Sequence, residues 1–110
     1  FYNDKEIFNQ LNAGDGLDLS GSNITITNNS FKNFSDKAIS VGEKSNVNIS
    51  ENILQNNYIG IAVKDESYVK LNKNKYLDNI TDVSKYIKKN IFKQPIIESN
   101  ETQKINILDN

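Results

Sequence analysis

Apolar and polar residues alternate along much of this chain, and the alternation recurs about every 22 residues. Leu17 and Leu19 are separated by one polar residue, and Ile24 and Ile26 follow in the same pattern after a short polar turn. Alternation with a period of two predicts half-buried β-strands. Repetition at a fixed short period predicts a solenoid, in which each unit buries its apolar side against copies of itself.

The repeats can be aligned column by column, and each column keeps its chemical character. A column of asparagines at the turn after the second strand predicts a ladder, because asparagine suits tight corners and stacked amides hydrogen-bond to one another. The aligned columns are Leu17/Ile39/Ile61, Leu19/Val41/Val63, Ile24/Val47/Val69, Ile26/Ile49/Leu71, Asn29/Asn52/Asn74, Phe31/Leu54/Tyr76, the small residues Gly16/Ala38/Gly60, and the turn serines Ser22/Ser45/Ser67.

The two ends of the chain depart from the repeat, as terminal units of solenoids do. Helical spacing predicts a short amphipathic helix over Asp4–Leu11, whereas Asp82–Phe92 fits either a fourth strand or a short helix. Because Lys85 falls in an apolar column, stacking is predicted to end near that residue. Two extended pieces, Pro95–Ile97 and Ile105–Ile107, are predicted to cover the open edge. We expect an N-terminal cap over 1–14, coils over 15–86 and a C-terminal cap or tail over 87–110.

Composition excludes several classes of protein. The formal net charge is -1, with 13 basic and 14 acidic side chains, so no basic field favours nucleic acid. Cysteine, histidine and arginine are absent, which excludes disulfides and thiolate or imidazole metal sites. No apolar run is long enough to predict a membrane span. The chain opens at Phe1 rather than at methionine, so we expect a piece of a longer protein.

Three repeat units carry a family resemblance: GLDLSGSNITITNNSF, AISVGEKSNVNISENIL and GIAVKDESYVKLNKNKY. They resemble the coils of right-handed parallel β-helix proteins of the pectate-lyase-like superfold, over roughly residues 15 to 80. The resemblance implies an all-β solenoid of about three to four coils with terminal caps. It also implies that ligands lie on the outer face of the first sheet. Members of this family include polysaccharide lyases, uronate epimerases, glycoside hydrolases and noncatalytic surface modules, so the activity stays open.

The predicted outer face offers candidates for binding carbohydrate. Asp18, Ser40 and Lys64 alternate outward on the first sheet and would hydrogen-bond sugar hydroxyls or carboxylates, whereas Tyr58 and Tyr68 lie in loops where their rings would stack on sugars. The alternative interpretation is an ordinary solvated face. Asp15, Asp18 and Asp36 form a weak candidate calcium cluster of oxygen ligands, and no other cofactor is predicted.

The sequence favours a noncatalytic role for this chain, because the arginine and histidine of the family's lyases and epimerases are absent and no catalytic residue is predicted. We therefore predict an extracellular or cell-surface module that presents a face to polysaccharide or to a surface protein. One alternative is the C-terminal coils of a polysaccharide lyase, epimerase or glycoside hydrolase with catalytic coils upstream. Another is a purely structural spacer. Open solenoid ends also predict a homo-oligomer, formed through the ends or side by side.

Overall fold

The computed structural model describes residues 7–9 and 15–109. These residues form thirteen strands and no helix. In chain order the strands are β1 (Ile7–Asn9), β2 (Leu17–Leu19), β3 (Ile24–Thr27), β4 (Ser30–Lys32), β5 (Lys37–Val41), β6 (Asn46–Ser50), β7 (Ile53–Gln55), β8 (Ile59–Lys64), β9 (Tyr68–Asn72), β10 (Lys75–Leu77), β11 (Thr81–Tyr86), β12 (Ile96–Asn100) and β13 (Ile107–Asp109).

The strands stack into three parallel sheets, so the chain winds through about four turns of a β-solenoid. The first sheet has the order β2-β5-β8-β11-β13, the second β3-β6-β9-β12 and the third β1-β4-β7-β10. The register matches the aligned columns, since Leu17 pairs with Ile39 and Ile39 with Ile61. The predicted all-β solenoid is therefore confirmed.

The interior is filled by the apolar columns, one layer from each coil. Each inward side chain packs against its equivalents about 4.8 Å above and below, which is the spacing between neighbouring strands. The third sheet contributes the largest residues of this core, and Phe31 and Leu54 have no exposed surface. The members with no exposed surface in the other two sheets are Ile26, Ala38, Ile39, Val41, Val47, Ile49, Ile61, Val63, Val69, Leu71 and Val83.

Side chains at the corners extend the hydrogen bonding of the sheets. The Asn29 amide N–H donates to Asn52 Oδ1 at 2.9 Å, and the Asn52 N–H donates to Asn74 Oδ1 at 3.0 Å. The predicted asparagine ladder is thus confirmed. A second ladder joins the Asn57 N–H to Asn79 Oδ1 at 2.9 Å at the corner between the third and first sheets. These bonds satisfy backbone donors that the turns leave without a strand partner.

Two of the three corners turn through a single residue in the left-handed region. Between the second and third sheets these residues are Asn28, Glu51 and Lys73, with φ of 64°, 56° and 53°. Between the third and first sheets they are Asn33, Asn56 and Asp78, with φ of 66°, 57° and 56°. Asparagine tolerates this conformation, but Glu51 and Lys73 adopt it at a conformational cost.

Replacing Lys73 by glycine should stabilise the protein. The left-handed conformation costs a residue with a side chain about 1–2 kcal/mol, and glycine does not have this cost. Part of the gain is cancelled, because glycine has more conformational freedom to lose when the chain folds. We expect Lys73→Gly to raise the free energy of unfolding by about 0.5–1 kcal/mol in urea titrations. The matched control is Lys75→Gly, two residues later inside β10, which should lower it by about 0.5–1 kcal/mol. Equal effects of the two glycines would contradict the prediction.

At the ends of the chain the structure contradicts two predictions and agrees with two others. The helix predicted over Asp4–Leu11 is wrong for Ile7–Asn9, which form β1 and pair in parallel with β4; its other residues lie outside the described ones. Of the two alternatives for Asp82–Phe92, the strand is present as β11. Stacking also continues past Lys85. The segments predicted to cover the edge contribute β12 on β9 and β13 on β11.

Candidate functional site

The corner between the first and second sheets is enlarged in the fourth coil. This corner loop spans nine residues, 87–95, whereas the earlier corners span four (20–23), four (42–45) and three (65–67). The corner loop folds back over the corners of the two preceding coils. The Lys89 ammonium lies 2.9 Å from the Glu43 carboxylate, and the Lys44 ammonium lies 5.8 Å from the centre of the Phe92 ring.

Two acidic side chains of the preceding corner fix the backbone of the corner loop. The buried Asp65 carboxylate accepts hydrogen bonds from the Lys88 and Lys89 N–H groups at 2.6 and 3.1 Å. Glu66 Oε1 accepts from the Lys93 N–H at 3.0 Å, and the Glu66 N–H donates to the Lys93 carbonyl at 2.8 Å. Charged acceptors make these bonds stronger than neutral ones, so the corner loop is a fixed part of the surface.

A cleft of about 210 Å³ lies between the corner loop and the edge of the first sheet. Two residues predicted from the sequence, Asp18 and Lys64, line it from the first and third coils. The remaining lining residues come from the end of β2, from the corners and from the corner loop: Leu19, Ser20, Gly42, Glu43, Asp65, Lys88 and Lys89. The structure thus brings Asp18 and Lys64 together in one concave site that is lined mostly by polar and charged residues.

Three of the six charged side chains that line the cleft already have partners. Glu43 pairs with Lys89, and Asp65 accepts the two backbone N–H groups of the corner loop. Among the described residues, Asp18, Lys64 and Lys88 are the charged lining groups whose side chains have no hydrogen bond or ion pair. A ligand in the cleft would therefore meet one carboxylate and two ammonium groups that are available for new bonds.

Ser40 lies elsewhere, at the centre of the outer face of the first sheet. It has no exposed surface, and its Oγ has no hydrogen-bond partner among the described residues. Ala62 and Ser84 occupy the same column and are equally covered. The outward column predicted as a binding face is therefore buried at its centre, and Ser40 contributes nothing to the surface of the cleft.

Lys37 begins β5 of the first sheet, and its ammonium group is paired with two carboxylates. The Lys37 ammonium lies 3.0 Å from Asp36 and 3.7 Å from Asp15. Burial acts to lower the pKa of Lys37, but the hydrogen bond to Asp36 and the charges of Asp15 and Asp36 raise it above its usual value. Burial raises the pKa of Tyr86, while the nearby Lys37 charge opposes that rise.

The same contacts bear on the candidate calcium cluster of Asp15, Asp18 and Asp36. The Lys37 ammonium lies between Asp15 and Asp36, where a cation bound by both would have to sit. Asp18 lines the cleft instead. Within residues 7–9 and 15–109, no group of three acidic side chains is arranged to hold a metal ion.

Tyr58 and Tyr68 do not share a site. Tyr58 is 51% exposed at the corner before β8, and Tyr68 begins β9 on the second sheet. The six residues of β8 separate them by about 20 Å. Neither lines the cleft. The Tyr58 and Tyr68 rings therefore would not stack on the sugar unit that contacts Asp18 and Lys64.

Four charged lining residues are not among the site residues predicted from the sequence: Glu43, Asp65, Lys88 and Lys89. Lys88 and Lys89 fall in the segment predicted as a C-terminal cap or tail, residues 87–110. One signal was present in the sequence. The apolar columns of the first and second sheets are separated by more residues in the fourth repeat than in the others, which indicates an enlarged turn.

Comparison with known families agrees with this architecture. The family model described as the right-handed β-helix region matches residues 2–110. The chain belongs to the right-handed β-helix family. No curated protein and no solved structure matches it significantly. The resemblance of the repeats to right-handed β-helix proteins is thereby confirmed. Within the described part of the chain, no helix is long and apolar enough to cross a membrane.

Proposed function

We propose that this β-helix is a noncatalytic module that binds carbohydrate in the cleft beside the corner loop. The observation that carries the proposal is the convergence of Asp18, Lys64 and Lys88 on one cavity while the other charges of the lining are already paired. Polysaccharide ligands of such a module lie outside the cell, so the proposal includes an extracellular or cell-surface location.

The chemistry of the lining suits a sugar rather than an apolar ligand. A carboxylate accepts hydrogen bonds from sugar hydroxyls, and ammonium groups donate to hydroxyl or carboxylate oxygens. Leu19 is the single large apolar residue of the lining, so an apolar ligand would leave most of these polar groups unpaired, at a cost in free energy. The two available ammonium groups favour a sugar that carries a carboxylate.

The arrangement of carboxylates supports a binding role over hydrolysis. Glycoside hydrolases use two carboxylates, one on each side of the scissile bond. Three carboxylates line the cleft, but Glu43 is held by Lys89 and Asp65 is held by the corner loop. Asp18 alone has neither a hydrogen bond nor an ion pair to the described residues. The cleft therefore holds one carboxylate that is available to a ligand and two that are already engaged by the chain itself.

A glycan-array screen of the purified chain, with and without calcium, tests the proposal. We expect binding to acidic glycans, and we expect Lys64→Ala and Asp18→Ala each to weaken the best hit by about tenfold or more, because each removes a charged hydrogen bond. Lys75→Ala is the matched control, since Lys75 is exposed on the third sheet outside the cleft. The affinity of this variant for the same glycan should equal that of the unmodified chain.

Three results would contradict the proposal. Binding that survives both Asp18→Ala and Lys64→Ala would locate the glycan site on another surface. Binding to a purified surface protein but to no glycan would favour a protein-recognition module. No binding to either class would favour a structural spacer. Circular dichroism of each variant would verify that its fold is retained.

A further inference from the structure

The charges that line the cleft are balanced in number. The lining carries three carboxylates and three ammonium groups, so the net charge of the cleft is zero. The Glu43–Lys89 ion pair and the hydrogen bonds from the corner loop to Asp65 engage three of these six groups. One carboxylate and two ammonium groups remain, and a ligand in the cleft therefore meets charges of both signs.

The two signs of available charge lie at opposite ends of the cleft. Asp18 belongs to β2 in the first coil, whereas Lys64 ends β8 in the third coil and Lys88 belongs to the corner loop of the fourth. Gly42 follows β5 in the coil between them. Because Gly42 has no side chain, it leaves room for a ligand between the negative and the positive end.

The register of the first sheet sets the distance between the two ends. Asp18 pairs with Ser40, and Ser40 pairs with Ala62, two residues before Lys64. Two strand spacings of about 4.8 Å and two residues of about 3.3 Å each separate Asp18 and Lys64 by about 12 Å across the sheet. A hydrogen bond of about 2.9 Å at each end then leaves roughly 6 Å between the charged groups of a ligand that reaches both.

The size of the cleft suits a single sugar unit. Its volume of about 210 Å³ is below the range of roughly 300–1,000 Å³ that is typical of pockets for drug-sized ligands. One sugar ring can carry an amine on one side and a carboxylate on the other, so a single unit can present both charges to the two ends of the cleft.

We propose that the cleft binds a zwitterionic sugar unit, with its free amine at Asp18 and its carboxylate between Lys64 and Lys88. This inference rests on the proposed function, because it names the unit that the same cleft would bind. In this orientation each charge of the ligand meets the opposite charge, and charge-assisted hydrogen bonds form at both ends. A ligand without net charge also matches the zero net charge of the lining.

Ligands that carry charge of only one sign fit this arrangement less well. A unit with a carboxylate alone satisfies Lys64 and Lys88 but leaves Asp18 to water. A polymer with a carboxylate on every unit brings a second carboxylate toward Asp18, where like charges repel. A unit with an amine alone meets Asp18 but faces two ammonium groups. The amine should therefore add to the affinity that the carboxylate provides rather than replace it.

Three matched probes test the inference: methyl glucuronide, the methyl glycoside of 2-amino-2-deoxyglucuronic acid, and the N-acetyl derivative of that amine. NMR titration of the purified chain measures each affinity and shows whether the Gly42 amide signal moves. We expect the amine to bind about tenfold more tightly than the other two probes, because it alone offers a positive charge to Asp18. Asp18→Asn keeps the size of the side chain but removes its charge, so this preference should disappear.

Asp78→Asn is the matched control, because Asp78 is exposed at the corner between the third and first sheets, outside the cleft. This variant should keep the preference for the amine. Equal binding of all three probes to the unmodified chain would overturn the inference and leave the proposed function standing. A preference that survives Asp18→Asn would overturn the assignment of the amine to Asp18. If no probe binds, the inference fails, and a glycan array without hits would contradict the proposed function as well.

Discussion

Replacing Asn52 by alanine is expected to lower the free energy of unfolding by about 3–4 kcal/mol, the largest loss that we predict for a single polar side chain. The Asn52 side chain is 1% exposed and makes three hydrogen bonds. Its Oδ1 accepts from the Asn29 N–H, and its Nδ2 donates to the Ile26 carbonyl and to Asn74 Oδ1. Alanine would leave the Asn29 donor and the Ile26 acceptor buried and unpaired, which costs about 1–3 kcal/mol for each group.

The control for this prediction is Asn48→Ala. Asn48 is exposed in the middle of β6, and its side chain makes no hydrogen bond in the described structure. Its replacement should change stability by less than about 0.5 kcal/mol. Urea titrations followed by circular dichroism would measure both variants. A loss for Asn52→Ala no larger than that for Asn48→Ala would show that the ladder bonds are not a major source of stability.

The second large effect is expected for Leu54→Ala, with a loss of about 3 kcal/mol in the free energy of unfolding. Leu54 has no exposed surface and lies in register between Phe31 and Tyr76. Hydrogen bonds to the strands on both sides hold the backbone of β7 about 4.8 Å from each neighbour. The neighbouring side chains therefore cannot close the space that the removed carbons leave, and a cavity remains.

Leu77→Ala is the matched control for the cavity. Leu77 belongs to the neighbouring strand of the same sheet, but it is 42% exposed on the outer face. Its truncation should cost less than about 1 kcal/mol, and differential scanning calorimetry would compare the two variants. Equal losses at the two positions would contradict the assignment of Leu54 to a close-packed interior.

The sequence predicted the coils well because their physical causes are local and repeated. Alternation assigned Leu17, Leu19 and their equivalents to the interior, and the asparagine column predicted a ladder that the structure contains. The prediction failed where one segment fits two structures. Apolar residues at Ile7, Phe8 and Leu11 fit a helix, yet Ile7–Asn9 extend the third sheet as β1. Pairing with β4 outweighs local helical preference, and sequence spacing contains no information on that pairing.

Only part of the candidate site could be predicted from the sequence. Alternation placed Asp18, Ser40 and Lys64 on the outer side of the first sheet, and Asp18 and Lys64 do line the cleft. Alternation contains no information on what covers an outward residue, so the burial of Ser40 was not predicted. The contribution of Lys88 and Lys89 depends on how the corner loop folds back to Glu43. That path is set by long-range contacts at Asp65 and Glu66 rather than by neighbours in sequence.

The three corners of a coil differ in how well they tolerate inserted residues, and this difference affects how such a protein can evolve. Two corners turn at one left-handed residue in each of the three coils where both can be followed, so an insertion there would shift all later side chains out of their columns. The corner after the first sheet accepts between three and nine residues while the columns on either side keep their register. Residues that contact a new ligand can therefore be added by lengthening the chain at this corner, while the apolar columns of the interior stay unchanged.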